Sequence, residues 1–391
     1  MAFVIIYMEM KIIAFLASRI GPNRVGPWGT LSSVFHGFKV LAKEDFTPTG
    51  ADVPVFTLAP AVVYLSAVMT LLVVPFAPGL FGYDMDIGLL YFFAIGGLGV
   101  VGLMMAGWSS FNKYSLLGGL RAAAGLISYE LPLILSVMGI VLITGSLNLS
   151  QIERAQAGNF TDWFIFRQPF AALIFFIAAT AEASRTPFDL TEADSEIVAG
   201  FATEYSGMRF GFFFFAEYVN MFILSAMTTV LFLGGWNAPF NIDPVLHTLG
   251  VATPINIALD PGSLGPGLLW TILIAPALII ATLTGVIWML KSSWSILTSL
   301  VVGFLLFNML IIGALLAFGA IDLDWVIGLF WFMSKTITLI LFFVLMRGTL
   351  PRVRIDQLMG FAWKWLVPAS LVNIFVTAGA IVILDQMGKT L

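Results

Sequence analysis

Long apolar runs alternate with short polar ones along this chain at the spacing of membrane-crossing helices. They lie at 58–76, 88–107, 126–146, 169–184, 210–234, 268–290, 295–318, 325–346 and 366–385, and a shorter one over 1–20 is interrupted by Glu9 and Lys11. About 20 helical residues cross the roughly 30 Å hydrocarbon core, and a helix satisfies its own backbone polar groups there. The pattern predicts an all-α polytopic membrane protein, a single integral membrane domain over 1–391 with about nine full transmembrane helices plus a short first one. The 20–57 loop opens Ile20-Gly21-Pro22-Asn23-Arg24-Val25-Gly26-Pro27, which cannot be regular helix. From 28 to 45, Leu31, Val34, Phe35, Phe38, Val40 and Leu41 recur at helical spacing among Lys39, Lys43 and Glu44, which predicts an amphipathic helix lying in the membrane interface. Such a helix is either a surface anchor, the commoner meaning, or a doorway for a hydrophobic ligand with a polar head.

Composition narrows the chemistry. With 60% hydrophobic and 10% charged residues and a mean hydropathy of +1.00, a soluble globule is excluded. The chain has no cysteine, which removes disulfides, thiolate nucleophiles and Cys-ligated iron–sulfur clusters. His36 and His247 are far apart in sequence and give no basis for a bis-histidine haem, so any electrons arrive from another chain. A net charge of −4 leaves no basic stripe for nucleic acid. Positive residues are retained in the cytoplasm, and placing the 20–57 loop there puts 14 Lys and Arg at cytoplasmic loops or span ends against Arg154, Arg167 and Lys389 outside. Lys335 is left inside a span, where an unpaired ammonium is costly, and is expected to pair with an acid.

Against this background the acids are concentrated. Glu182, Asp189, Glu192, Asp194, Glu196, Glu204 and Glu217, about a third of all Asp and Glu, fall in 36 positions. An acid in hydrocarbon costs roughly 2.5–3.5 kcal/mol on insertion scales, so acids clustered at membrane depth point to a proton or ion path. The topology makes 185–207 a cytoplasmic loop, puts Glu182 at the end of one span, and puts Glu217 about two turns inside the next. Glu130 begins another span from the same side in Ser128-Tyr129-Glu130-Leu131-Pro132. The bland alternative is that some of these acids satisfy helix-start dipoles.

Many local sequences now fall into one ordered pattern. Ile20 to Pro27, Lys43-Glu44-Asp45, Gly107-Trp108, Asn112-Lys113-Tyr114, Ser128-Tyr129-Glu130, Ala181-Glu182, Arg185 with Pro187-Phe188-Asp189-Leu190, Glu192 to Glu196, Glu204-Tyr205, Ala216-Glu217-Tyr218, Trp331 with Lys335, and Arg347 with Leu350-Pro351-Arg352 follow one another along nearly the whole chain. Together they resemble the H subunit of bacterial NADH-quinone oxidoreductase, the mitochondrial subunit 1 family of respiratory complex I. The resemblance implies a non-redox membrane-arm subunit of a bacterial plasma-membrane translocase, inactive alone. It would help build the quinone chamber, with ubiquinone or menaquinone as substrate and no metal or iron–sulfur cluster of its own. The implied partners are the cluster-bearing peripheral-arm subunit, small membrane-arm subunits and the lipid bilayer. By resemblance, Glu130, Glu182, Glu204 and Glu217 form a proton relay, Asp189, Glu192, Asp194 and Glu196 form an acidic coupling loop facing the quinone, and Arg24, Lys43, Glu44, Asp45 and Arg185 line or brace the chamber entrance. The mechanism that fits is coupling by charge: a doubly reduced quinone takes up two protons, and interacting carboxyls nearby respond as a group.

The chain departs from the family pattern in places. Met10 replaces the usual arginine of a Glu-Arg-Lys signature, and with only eight residues before Glu9 the first span is expected to be short or truncated. Ser32, Ser33 and His36 alter the interfacial helix, Phe111 replaces an asparagine, Ala124-Gly125 stands for Ala-Gln, Ser184 and Thr186 alter the Asn-Arg-Pro-Pro motif, and Asp194 shortens a glutamate. An insertion over 237–324 carries the extra pair 268–290 and 295–318, expected to be a peripheral helical hairpin. Two other readings stay open from the residues: the membrane subunit of a related energy-converting hydrogenase or dehydrogenase, and a stand-alone proton-coupled transporter, although no internal inverted repeat is evident.

Overall fold

Helix ends follow the local chemistry of the chain in the computed structural model, which describes residues 2–158, 160–189, 199–239 and 323–387. The first helix, α1, is short, Ala2–Leu16; after the Gly-Pro turns comes the interfacial helix α2, Ser32–Leu41. Helix α3, Val53–Thr70, has Pro54 in its first turn, where the missing N–H costs nothing. Then come α4, Gly88–Ser109, and α5, Lys113–Thr144. Asn112 caps α5 by accepting the Tyr114 N–H at 3.0 Å, and Gly145, at φ +65°, ends it in the left-handed conformation that glycine adopts freely. Two short helices follow, α6, Leu149–Arg154, and α7, Phe164–Arg167, before α8, Pro169–Glu182, α9, Gly207–Phe232, and α10, Leu323–Thr349. The chain closes with α11, Ile355–Phe361, which runs through a π turn at Ala362–Leu366 into α12, Val367–Gln386.

Among the described residues six helical stretches are long and apolar enough to cross a membrane: Val53–Val73, Gly88–Ser109, Lys113–Thr144, Gly207–Phe232, Ile327–Thr349 and Ile355–Gln386; Pro169–Glu182 is a shorter apolar helix. All seven fall on predicted runs. The predicted pair at 268–290 and 295–318 lies outside the described residues. The amphipathic helix predicted near 28–45 is α2, and its stripe of Leu31, Phe35 and Phe38 is exposed, as suits a helix resting on lipid.

Helix α9 is the axis of the bundle. Of its most apolar stretch 61% is buried, against 17% for the last spanning stretch, so α9 runs through the middle and α12 along the rim. It packs on α1, α2, α3, α8 and α10. Phe175, Phe232, Phe332, Phe343, Met221 and Met227 fill the space between these helices. Helices α4 and α5 cross closely at Gly107 and Gly119, where a Cβ on Gly107 would stand 3.1 Å from the Gly119 Cα. Helices α3, α5 and α9 begin, and α4, α8 and α10 finish, at one end of the bundle, the motif end. The turns 145–168 and 233–239 lie at the other.

Candidate functional site

The sequence motifs that are far apart in the chain meet at the motif end. The loop after α8 docks on the tail after α10: the Val353 N–H donates to Pro187 O at 2.9 Å, and Arg352 Nη2 lies 2.9 Å from Asp189 Oδ2. Tyr129 donates to Leu358 O at 3.0 Å, and its ring tilts against Phe188 at 5.5 Å. The Ser-Tyr-Glu, Pro-Phe-Asp and Leu-Pro-Arg motifs are therefore one packed unit.

Arg185 stands at its centre. Only 3% of the residue is exposed, and its guanidinium lies 3.4 Å from Glu9 Oε1, 3.5 Å from Glu217 Oε1 and 4.5 Å from the Tyr218 ring centroid. Burial works against its charge, but the carboxylates of Glu217 and Glu9 overcome that and hold its pKa above the ordinary arginine value. Glu9 also pairs with Arg347. One carboxylate of the first helix thus joins the loop after α8 to the end of α10.

Beside this network opens a cavity of about 300 Å³. Glu182, Ser184, Glu217 and Asn220 form its polar side, and the rings of Phe213 and Phe214 with Val63 and Leu126 its apolar side. Glu182 and Asn220 also line a smaller, deeper pocket whose further wall is Glu130. Three acids from α5, α8 and α9 are thus brought around two adjoining spaces. Among the described residues no group of three or more His, Cys, Asp or Glu is placed to hold a metal ion.

Other predicted residues lie elsewhere. Glu204 accepts from Asn112 Nδ2 at 2.7 Å, on the loop before α9, and is not among the groups lining the cavity. Next to it Tyr205 stacks on Phe56 at 4.1 Å and donates to Phe56 O, and burial pushes its phenol up to about 12 against the pull of Ser109 and Arg209. Asp45 pairs with Arg209 at 3.0 Å, and Ser206 donates to Glu44 O, so the 42–46 loop is tied to the start of α9. Arg24, Lys43 and Glu44 are exposed. Asp189 is buried, whereas Glu192, Asp194 and Glu196 lie outside the described residues.

Glu9, Asn220 and Glu153 were not evident as participants from sequence. Glu9 marks itself as a charge that breaks the first apolar run and as the head of the altered Glu-Arg-Lys signature, neither of which names its partners. Asn220, a neutral amide, carries no signal in a count of acids, and Glu153 sits outside every predicted span. Glu153 is fully buried near the opposite end, where its Oε1 accepts the Trp236 N–H. Lys335, expected to pair with an acid, has Glu153 as its electrostatic partner and also donates to three backbone carbonyls, those of Leu233, Gly235 and Asn237, at 2.7, 3.0 and 2.6 Å.

Comparison with known proteins shows the family to which the chain belongs. The family model described as NADH dehydrogenase matches residues 1–378. The H subunit of the NADH-quinone oxidoreductase of Bacillus cytotoxicus is 41% identical over 374 residues, covering 95% of this chain and 87% of that one. The protein of that name from Geobacillus kaustophilus is also 41% identical over 374 residues, with the same coverage. The one from Dehalococcoides mccartyi is 37% identical over 380 residues, covering 97% of this chain and 82% of its own. With likeness of this degree running the length of the chain, it belongs to the family of NADH-quinone oxidoreductase H subunits.

Proposed function

We propose that this chain is the junction subunit of the membrane arm of a proton-translocating NADH:quinone oxidoreductase in a bacterial plasma membrane, walling part of the quinone chamber and relaying charge from it. The reading is supported above all by the shared polar wall: Glu182 and Asn220 line both the 300 Å³ cavity that holds Glu217 and the deeper pocket that holds Glu130. The chain contributes no redox centre. The cluster that reduces the quinone belongs to a peripheral-arm partner, and small membrane-arm subunits take the signal onward. The motif end, with its 185–207 loop, faces the cytoplasm.

The coupling follows from electrostatics. Reduction of quinone by two electrons creates a base that takes up two protons, and the charge beside Asp189, Glu192, Asp194 and Glu196 changes with it. Arg185 is bonded to Glu217 within the same packed unit as Asp189, so a shift of the loop moves the countercharge that Glu217 feels. Carboxyls that share a low-dielectric space titrate together, so Glu217, Glu182 and Glu130 exchange a proton rather than ionise independently. Arg24, Lys43, Glu44, Asp45 and Arg185 line or brace the entrance through which a hydrophobic quinone reaches the chamber, a role supported by the family resemblance of their motifs.

The test is the pair Glu182→Gln and Glu217→Gln in the assembled complex. Loss of proton pumping, with or without loss of quinone reduction, is expected for each. Wild-type rates of both reduction and pumping in the two variants would refute the relay.

A further inference from the structure

The deeper of the two spaces beside the acids is small and polar only in places. Its volume is about 40 Å³, and its wall is mostly apolar, with Phe92, Phe93 and Leu133. Four side chains carrying oxygen interrupt that wall: Glu130 on α5, Glu182 at the end of α8, Asn220 on α9, and Thr70, the last residue of α3. A buried water needs roughly 10–15 Å³ and two to four polar partners, so a space of this size and lining takes about two or three waters.

The four groups are complementary toward water. Glu182 Oε2 is buried and, among the described residues, has no hydrogen-bond partner, a costly state unless water reaches it. Thr70 is 3% exposed, and its hydroxyl donates to Ala67 O at 2.7 Å, so its oxygen is left to accept. The Asn220 carboxamide donates through its nitrogen and accepts through its oxygen. A water here can donate to Thr70 and receive from Asn220, which leaves it one proton to give and one lone pair to offer to the carboxyls. Room beside Glu130 is kept by a glycine: a Cβ on Gly97 would stand 3.1 Å from Glu130 Oε1.

We infer that Thr70 and Asn220 are positioning residues of the relay: they orient the water through which Glu182 and Glu130 exchange a proton. Protonated Glu182 gives its proton to the water, and the water passes one of its own to the Glu130 carboxylate. The O–H bond broken at Glu182 is thus replaced by one at Glu130, and the water ends as it began. Neither positioning residue changes its own protonation. Without a fixed acceptor and a fixed donor the water turns freely, and the aligned hydrogen bonds that proton transfer requires are lost. The inference rests on the relay reading above.

The test uses the assembled complex in sealed vesicles, with NADH-driven proton uptake and quinone reduction measured together. Thr70→Val removes one oxygen and nearly preserves shape, and Asn220→Leu removes the amide. Each is expected to lower proton uptake severalfold, to leave the KM for quinone as in wild type, and to enlarge the solvent deuterium isotope effect, because proton transfer has become the slow step. A slower rate with an unchanged isotope effect is a packing defect and overturns the positioning role. Thr70→Ser puts the acceptor back and is expected to recover most of the rate; a serine variant as slow as Thr70→Val also overturns it. Glu182→Gln is the reference for the relay itself. If it pumps poorly while Thr70→Val and Asn220→Leu pump as wild type, the water bridge is overturned and the relay stands. If Glu182→Gln pumps as wild type, the relay fails and the bridge falls with it. Where Asn220→Leu does not assemble, Thr70→Val decides alone, since the Thr70 hydroxyl donates only within its own helix.

Discussion

Arg185 lies 3.5 Å from Glu217, joining a loop outside the bundle to an acid inside it. The pair is asymmetric: the Arg185 side chain is 4% exposed and that of Glu217 is 21%, so the arginine cannot turn to water when its partner changes. Glu9 supplies the second counterion, and replacing the guanidinium by an apolar group would leave two carboxylates facing one another.

Removing one member of a buried ion pair costs about 3–5 kcal/mol, because the charge left behind keeps its desolvation penalty. Arg185→Met is therefore expected to lower the thermal stability of the purified protein markedly. Adding Glu9→Gln should recover part of the loss. A double variant no more stable than Arg185→Met would show that Glu9 and Arg185 are not energetically coupled.

The Asp189–Arg352 pair should behave differently although it is shorter, at 2.9 Å. The Arg352 side chain is 40% exposed, and pairs open to water contribute only about 0.2–1 kcal/mol. In a double-mutant cycle of Asp189→Asn and Arg352→Gln, coupling below about 1 kcal/mol is expected. Its larger effect should be on order: amide exchange at 185–189 and 353 should quicken, since the Val353–Pro187 bond closes the same junction. Strong coupling in the cycle would contradict the exposed geometry.

How much could be read beforehand depended on what kind of signal each feature leaves. Hydropathy located α3, α4, α5, α8, α9, α10 and α12, because a span must be apolar over its whole length whatever it packs against. The acids of the cavity were legible for the inverse reason, being costly where they stand. Partnership was not legible. Glu9 lies 176 positions from Arg185 and 338 from Arg347, and no local periodicity reports a contact that tertiary packing makes. Lys335 is legible as a buried charge in need of an acid, and Glu153 supplies one, but the carbonyls that hold it are not legible. Carbonyls at the end of a helix, already partly negative, leave no trace in residue identity. Glu204 joins the relay acids through the family resemblance, and its contact with Asn112, a cap residue 92 positions away, has no trace in the local sequence.

That last contact separates charge from scaffolding. Asn112 both caps α5 through its oxygen and donates through its nitrogen to Glu204. Asn112→Ala is expected to cost about 1 kcal/mol for the cap alone, with a further loss from the unpaired Glu204. Glu204→Gln keeps an oxygen for Asn112 and should leave stability near wild type. Thermal melts of the two variants decide it, and equal destabilisation would show that the charge of Glu204, not its oxygen, holds the loop.

At the opposite end, Glu153 allows the sign of a pH effect to be fixed in advance. Burial raises its pKa well above the ordinary 4.5, while the Trp236 N–H, Lys335 and Arg154 pull it down without cancelling the rise. A carboxyl whose folded pKa exceeds its unfolded one adds stability that is fully present below the unfolded value and is lost as pH rises through the folded value. The excess stability of wild type over Glu153→Gln should thus be greatest near pH 4.5 and shrink steadily toward alkaline pH. Melting temperatures of both proteins across that range test it. If the difference grows with pH instead, Glu153 is ionised in the folded protein and the turn around Lys335 holds a neutral pair rather than a net positive charge.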